Sequence, residues 1–86
     1  MEALSQGRII QSAIRMRHIL NVAGTPRTHV RMNERMKAEC ARQCDYMAIV
    51  DVKTIAGFDV ENDNSLPNGA LAFYTPGGLG DVMCFL

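Results

Sequence analysis

The chain has 86 residues, of which 48% are hydrophobic and 21% are charged. This balance is typical of a folded globule and excludes a disordered tail. A chain of this length buries only about 60–65% of its unfolded surface, so a single core would give modest stability. We therefore expect one domain over residues 1–86, and association with a second copy is the simplest additional support.

Targeting and membrane signals are missing from the sequence. No apolar run approaches the roughly 18 residues that a membrane span requires. The start, MEALSQGR, carries an acid and lacks the continuous apolar segment of a signal peptide. Cys40, Cys44 and Cys84 form an odd set, which argues against a disulfide framework. These features predict a cytoplasmic protein without a membrane partner.

Charge is divided unevenly along a chain whose formal net charge is zero. Residues 1–44 hold eight of the nine Lys and Arg and three acids, a net charge of +5, and residues 45–86 hold the opposite excess. The favoured interpretation is neutralisation within the molecule or by a neighbouring subunit. The alternative is a cationic face for nucleic acid or an acidic protein. Aromatic residues are not interleaved with these Arg residues, which disfavours single-stranded nucleic acid.

Residues 4–23 have the pattern of an amphipathic helix. Ser5 is a candidate N-cap, Gly24 is a candidate C-cap, and Pro26 forbids continuation. The apolar positions recur every three or four residues and so share one stripe. They are Ile9, Ala13, Met16, Leu20 and Ala23, widened by Ile10 and Ile14.

A short strand and a second helix follow. Val30 and Met32 share one face of the strand predicted in THVRMN. Asn33 is suited to cap a helix from Glu34 to about residue 46, where an acid in the first turn favours the helix dipole. The buried face of this helix is predicted to carry Met36, Cys40, Cys44 and Met47.

From residue 48 the apolar period changes to two. Strands are predicted at 48–52, at about 54–61, at about 70–74 and in the terminal VMCFL. Phe58 and Val60 would share one face, with Asp59 and Glu61 on the other. The pattern predicts an α+β fold, with two helices packed on one face of a small, mostly antiparallel sheet.

Three segments invite a chemical interpretation. The acidic ENDNSLPNG stretch holds oxygen ligands but lacks the spacing of a calcium loop, so we favour a strand-connecting loop. Cys40 and Cys44 lie one helical turn apart, where core packing is favoured over zinc or a reactive thiol. GGLGD lacks the following helix of a phosphate loop, which favours a turn.

Catalytic chemistry is difficult to assemble from these residues. His18 and His29 have no matching carboxylate nearby in the sequence, and a general base requires an orienting partner and a pocket. The sequence therefore predicts no enzyme, no catalytic residues, no metal and no cofactor.

The order of elements resembles the axial domain of tailed-phage major capsid proteins and small uncharacterised proteins encoded by phages. The resemblance rests on the stretches Thr28 to Asn33, Gly57 to Val60 and Leu66 to Gly69, within residues 9–75. Phe58-Asp59 replaces the apolar-Pro pair usual in that family. The chain lacks room for the long spine helix and peripheral domain of a capsid subunit.

The resemblance implies a free-standing axial-like module without catalytic residues. We expect a small intracellular protein-binding protein, in the form of a phage-encoded effector or inhibitor that occludes a host or defence protein. A capsid-associated structural protein is the first alternative, and a nucleic-acid-binding module using the basic N-terminal half is the second.

Partner contacts are expected at exposed Arg and aromatic side chains, which dominate many protein interfaces. The predicted cationic contacts are Arg15, Arg31, Arg35 and Arg42, and the predicted apolar anchors are Leu66, Tyr74 and Phe85. The exposed edge of VMCFL is expected to pair with a symmetry mate, giving a homodimer.

Overall fold

The computed structural model describes residues 8–44, 53–78 and 80–86. Its elements form an α+β fold, as predicted. In chain order they are α1 (Arg8–Val22), β1 (His29–Met32), α2 (Glu34–Cys44), β2 (Thr54–Ile55), β3 (Phe58–Asn62), β4 (Ala70–Tyr74) and β5 (Val82–Phe85). The strand predicted at 48–52, the Ser5 cap and Met47 lie outside the described residues.

The five strands form one sheet in the order β2-β3-β1-β4-β5. β1 and β3 pair in parallel, because the chain passes through α2 before it returns to the sheet. The other three pairings are antiparallel. The mostly antiparallel sheet predicted from the sequence is therefore confirmed.

Both helices pack on one face of the sheet, which we call the covered face. Alternate strand residues point to it, including Val30, Phe58 and Phe73, and all three are buried. The rings of Phe58 and Phe73 meet with centroids 4.9 Å apart in a tilted arrangement. The buried helix residues that complete this core are Ile9, Ala13, Leu20, Met36 and Cys40.

The end of α1 follows the predicted capping pattern. Gly24 has a φ of 77°. The Thr25 N–H donates to the Leu20 carbonyl at 2.9 Å, a bond typical of a Schellman motif. Ile14 is 55% exposed, so its predicted place in the apolar stripe is wrong. At 100° per residue, Ile14 lies about 140° around the helix from Ile9, on the solvent side.

The start of α2 is capped twice. Asn33 accepts a hydrogen bond from the Met36 N–H at 2.7 Å, which confirms the predicted cap. The Glu34 N–H donates to the Asn64 side-chain oxygen at 2.8 Å. The Asn33 amide also donates to the Leu66 carbonyl at 3.3 Å. The acidic loop after β3 is thereby fixed to the helix.

A tight turn divides the strand predicted over 54–61 into β2 and β3. Ala56 and Gly57 both have positive φ, at 49° and 86°. Positive φ at both central residues is typical of a type I′ hairpin turn, and it interrupts the alternation read from the sequence. Arg17 of α1 donates to the Ala56 carbonyl at 3.1 Å and so ties the helix to this hairpin.

Candidate functional site: the open face of the sheet

The sheet face opposite the helices, here called the open face, carries the candidate site. No described element covers it. Strand registers place His29 and Arg31 between the side chains of β3 and β4. The open-face residues are Thr54, Asp59, Glu61, His29, Arg31, Ala70, Ala72, Tyr74, Met83 and Phe85.

Arg31 is the centre of the charged part of this face. Its guanidinium forms an ion pair with Asp81 and lies 3.9 Å from an Asp63 carboxylate oxygen. It also lies 4.2 Å from the centroid of the Tyr74 ring, at cation–π distance. These contacts on both sides hold the Arg31 side chain across the middle of the open face.

His29 joins the aromatic ring to the neighbouring acid. Its ring centroid lies 5.1 Å from that of Tyr74. Its Nε2 is 3.6 Å from an Asp59 carboxylate oxygen, and its Nδ1 is 2.6 Å from the Thr28 hydroxyl. No matching carboxylate lies near His29 in the sequence, but parallel pairing of β1 and β3 places Asp59 beside it in the fold.

Thr28, His29 and Asp59 form a row of hydroxyl, imidazole and carboxylate groups. Such a row can relay a proton, but group transfer also requires a shaped site that holds substrate and excludes water. Two clefts of about 530 and 230 Å³ occur elsewhere, at the start of α2 and beside Arg27. Neither cleft is lined by any member of the row.

Carboxylates outnumber cations on and around the open face. Asp63 and Asp81 approach the Arg31 guanidinium, and Glu61 is its register partner on β3. Asp59 lies beside His29. Hydrogen bonds from Ser65 hold the pKa of Asp63 below its ordinary value. Burial raises the pKa of the Tyr74 hydroxyl, and the Glu61 carboxylate adds to that rise. The face is thus acidic at neutral pH along its β3 side.

The β5 side of the open face is apolar. Met83 and Phe85 are 41% and 68% exposed, although both are large and hydrophobic. The small residues Ala70 and Ala72 lie beside them in register and are fully buried. The larger neighbours overhang these alanines, and the result is a shallow apolar surface next to the charged one.

The residues predicted to bind a partner separate into two groups. Arg31, Tyr74 and Phe85 come together on the open face. Arg15 lies exposed on α1, and Arg35 and Arg42 lie exposed on α2, on the opposite side of the sheet. Leu66 belongs to neither group: it lies half-buried in the loop after β3.

The exposed surface of α1 and α2, here called the helix layer, is basic. Arg8, Arg15 and Arg35 form no ion pair with the described residues. Arg42 donates to Glu39 at 2.5 Å, and this hydrogen bond raises the pKa of Arg42. Among the described residues, the uneven charge is therefore expressed as a basic helix layer and an acidic open face, on which Arg31 is paired with Asp81.

Sequence reasoning did not identify His29, Asp59, Asp81 or Met83 as site residues. Alternation in β3 and β5 was the available signal, because it places Asp59 and Met83 away from the core. The pairing of Asp81 with Arg31 had no such signal, since the two residues are 50 positions apart.

The loop between β3 and β4 serves a structural purpose. Asp63 accepts from the Ser65 backbone at 3.0 Å, and its own N–H donates to the Met32 carbonyl at 2.8 Å. With Asn64 capping α2, the loop connects three elements. Across residues 8–44, 53–78 and 80–86, no three His, Cys, Asp or Glu side chains are grouped to hold a metal ion. Cys40 is buried in the core.

Comparison with protein-family models, with curated proteins and with solved structures finds no match to this chain. Neither described helix has the length and apolar composition that would let it cross a membrane.

Proposed function

We propose that the protein is a small, non-enzymatic protein-binding protein of the cytoplasm, and that the open face contacts the partner. One observation supports this most directly. Arg31, Tyr74, Met83 and Phe85 share a face that no described element covers. Arg, aromatic and Met side chains are enriched at protein interfaces, and the core of this fold requires none of the four.

The chemistry of the face indicates the kind of partner. A protein with Lys or Arg side chains opposite the β3 carboxylates would gain electrostatic complementarity. A recess beside those cations would receive the ring of Tyr74, which lies next to His29 and Arg31 on this face. We propose a basic protein surface with an adjoining apolar recess as the binding partner.

From the resemblance to phage axial domains, we propose that the protein is encoded by a phage. It would act as an effector or inhibitor that occludes a host or defence protein. A capsid-associated structural protein is the alternative, in which the partner belongs to the virion.

Nucleic acid binding has weaker support. The open face carries Asp59, Glu61, Asp63 and Asp81, which would repel phosphates. The helix layer offers exposed Arg side chains, but α1 and α2 contain no Phe, Tyr or Trp on which bases could stack.

The test is quantitative capture of partners by tagged protein from lysates of a bacterial host, with and without phage infection. An open-face variant, Asp59→Asn with Glu61→Gln, removes two negative charges. A helix-layer variant, Arg15→Gln with Arg35→Gln, removes two positive charges. All four positions are exposed, so both variants are expected to fold as the wild type does.

We expect the wild-type protein to capture one partner protein in a fixed ratio. The helix-layer variant is expected to capture the same amount, and the open-face variant at least about tenfold less. A host protein with this profile supports the effector, and a virion protein supports the capsid alternative. Loss of the partner in the helix-layer variant alone contradicts the open-face assignment. Capture of nucleic acid alone, released by salt, contradicts protein binding.

A further inference from the structure

β5 presents an unprotected strand edge. Among the described residues no strand lies beyond it. Exposed edges attract other strands, and many proteins guard them with charged residues or proline. Val82–Phe85 contains neither. The edge is therefore open to pairing with another strand.

The hydrogen-bond phase of β5 determines which backbone groups face outward. The Leu86 N–H donates to the Gly69 carbonyl at 2.8 Å. In an antiparallel ladder, hydrogen-bonded and non-hydrogen-bonded pairs alternate, so Cys84, two residues earlier, also bonds to β4. The N–H and carbonyl groups of Met83 and Phe85 then point away from β4. The same two residues carry the exposed apolar side chains.

We propose that β5 pairs antiparallel with β5 of a second copy of this chain, across a two-fold axis at Cys84. Met83 of each copy then lies opposite Phe85 of the other, and their outward backbone groups form about four interstrand hydrogen bonds. Within Val82–Phe85, a register shifted by two residues pairs the outward groups of only one of these two residues in each copy. The product is a continuous sheet with two sets of five strands.

Side chains on both faces fit this register. On the open face Phe85 packs on Met83 of the second copy, so two exposed apolar residues cover each other. On the other face the two Cys84 side chains lie opposite each other in a non-hydrogen-bonded pair. Cα atoms in such a pair are about 4.5 Å apart, which is within the range for a cross-link between the thiols.

Charge does not oppose a second copy joined at this edge. The carboxylates Asp59 and Glu61 lie on β3, three strands away from β5. At about 4.8 Å per strand, the two β3 strands of the dimer are about 34 Å apart, well beyond the screening length of about 8 Å at physiological salt. Asp81, the acid nearest to the edge, is paired with Arg31 of its own chain.

The dimer does not rest on the proposed binding function. A protein that stays monomeric and still retains its partner would contradict the proposed dimer only. A protein that dimerises but retains no partner would contradict the proposed binding function only.

Sedimentation of the whole protein over a concentration series, with a thiol-specific bis-maleimide as the cross-linking probe, tests the inference. We expect a dimer and a cross-linked peptide joining Cys84 to Cys84. Cys84→Ser is expected to abolish that cross-link while the dimer remains. A Met83→Lys/Phe85→Lys variant places like charges directly opposite each other across the dimer interface. The dissociation constant of the dimer is expected to rise at least about tenfold.

The matched control is Ile14→Lys with Val22→Lys, because these α1 residues are 55% and 74% exposed and lie away from β5. It is expected to keep the dimer. Circular dichroism establishes that each variant is folded. A monomer at every concentration, cross-links through Cys40 or Cys44 in place of Cys84, or dissociation by the α1 variant alone would overturn the proposal.

Discussion

The two faces of the sheet are built from alternate residues of the same strands, yet they differ in composition and purpose. In β4, Leu71 and Phe73 enter the core, and Ala72 and Tyr74 lie on the open face. Most residues on the covered face are apolar and buried or partly buried, as the packing of two helices requires. Residues on the open face combine charge, aromatic rings and exposed hydrophobic groups, which packing does not require. The comparison teaches that packing against the helices explains the composition of the covered face and does not explain that of the open face.

Truncation of a large side chain on each face gives the largest expected contrast. Phe73→Ala removes a fully buried ring that packs on Phe58, and we expect a loss of about 3–5 kcal/mol in the free energy of unfolding. Phe85→Ala, on the open face, should change it by about 0.5 kcal/mol or less. Urea unfolding at a concentration where both proteins are monomeric measures the difference. Equal losses would contradict the division between the faces.

The two asparagine caps that attach the loop after β3 to α2 test the stability of the covered side. Asn33→Ala removes the cap of Met36 and the contact with the Leu66 carbonyl, and we expect a loss of about 1–2 kcal/mol. Asn64→Ala removes one bond, to the Glu34 N–H, and should cost less. Thermal unfolding ranks the two variants. A larger effect from Asn64 would assign the principal cap to the loop.

The β2–β3 turn is the next test. Gly57→Ala puts a methyl group 2.7 Å from the Arg17 guanidinium at a φ of 86°, so we expect a loss of about 1 kcal/mol. Gly80→Ala is the control, because a Cβ there meets no heavy atom within 4 Å among the described residues. Chemical unfolding of both variants provides the measurement. A Gly57→Ala variant as stable as the wild type would show that the turn accepts the methyl group without strain.

Arg31 tests the open face itself. Arg31→Met removes its ion pair with Asp81 and its contact with Tyr74, and we expect a loss of about 0.5–1 kcal/mol in stability. The difference from wild type should shrink as salt rises, because partly exposed charges are screened. Arg15→Met on the helix layer should be neutral. An effect that is independent of salt would assign the role of Arg31 to packing.

The smallest effect concerns acid stability. The pKa of Asp63 is lowered in the folded protein by bonds from Ser65, so its contribution is present above the unfolded value of about 3.9. The contribution is lost as pH falls through the lowered folded pKa. Unfolding of wild type and Asp63→Asn between about pH 2 and 5 should show a gap that closes toward low pH. A gap that does not change with pH would exclude ionisation as its cause.

Much of the covered face could be predicted from the sequence, since burial imposes a period on it. Alternation identified Phe58 and Val60, and the helical period identified Ile9 and Leu20. The turn at Ala56 was missed because alanine rarely adopts positive φ, so its residue type gave no warning.

The candidate site was only partly predictable. Arg31, Tyr74 and Phe85 were chosen by residue type, but type alone could not separate them from Arg15 and Arg35 on the other side of the sheet. Pairing of β1 with β3 in parallel depends on the global topology, and that pairing brings Asp59 to His29. Local sequence patterns carry no information on such contacts.

Hydroxyl-radical footprinting of the complex with the captured partner tests the central claim most directly. The measured quantities are the labelling rates of His29 and Tyr74 on the open face and of Ile14 and Val22 on the helix layer, compared with the free protein. We predict that binding suppresses labelling of His29 and Tyr74 and leaves the rates of Ile14 and Val22 unchanged. Protection of the helix layer with the open face still labelled would contradict the account.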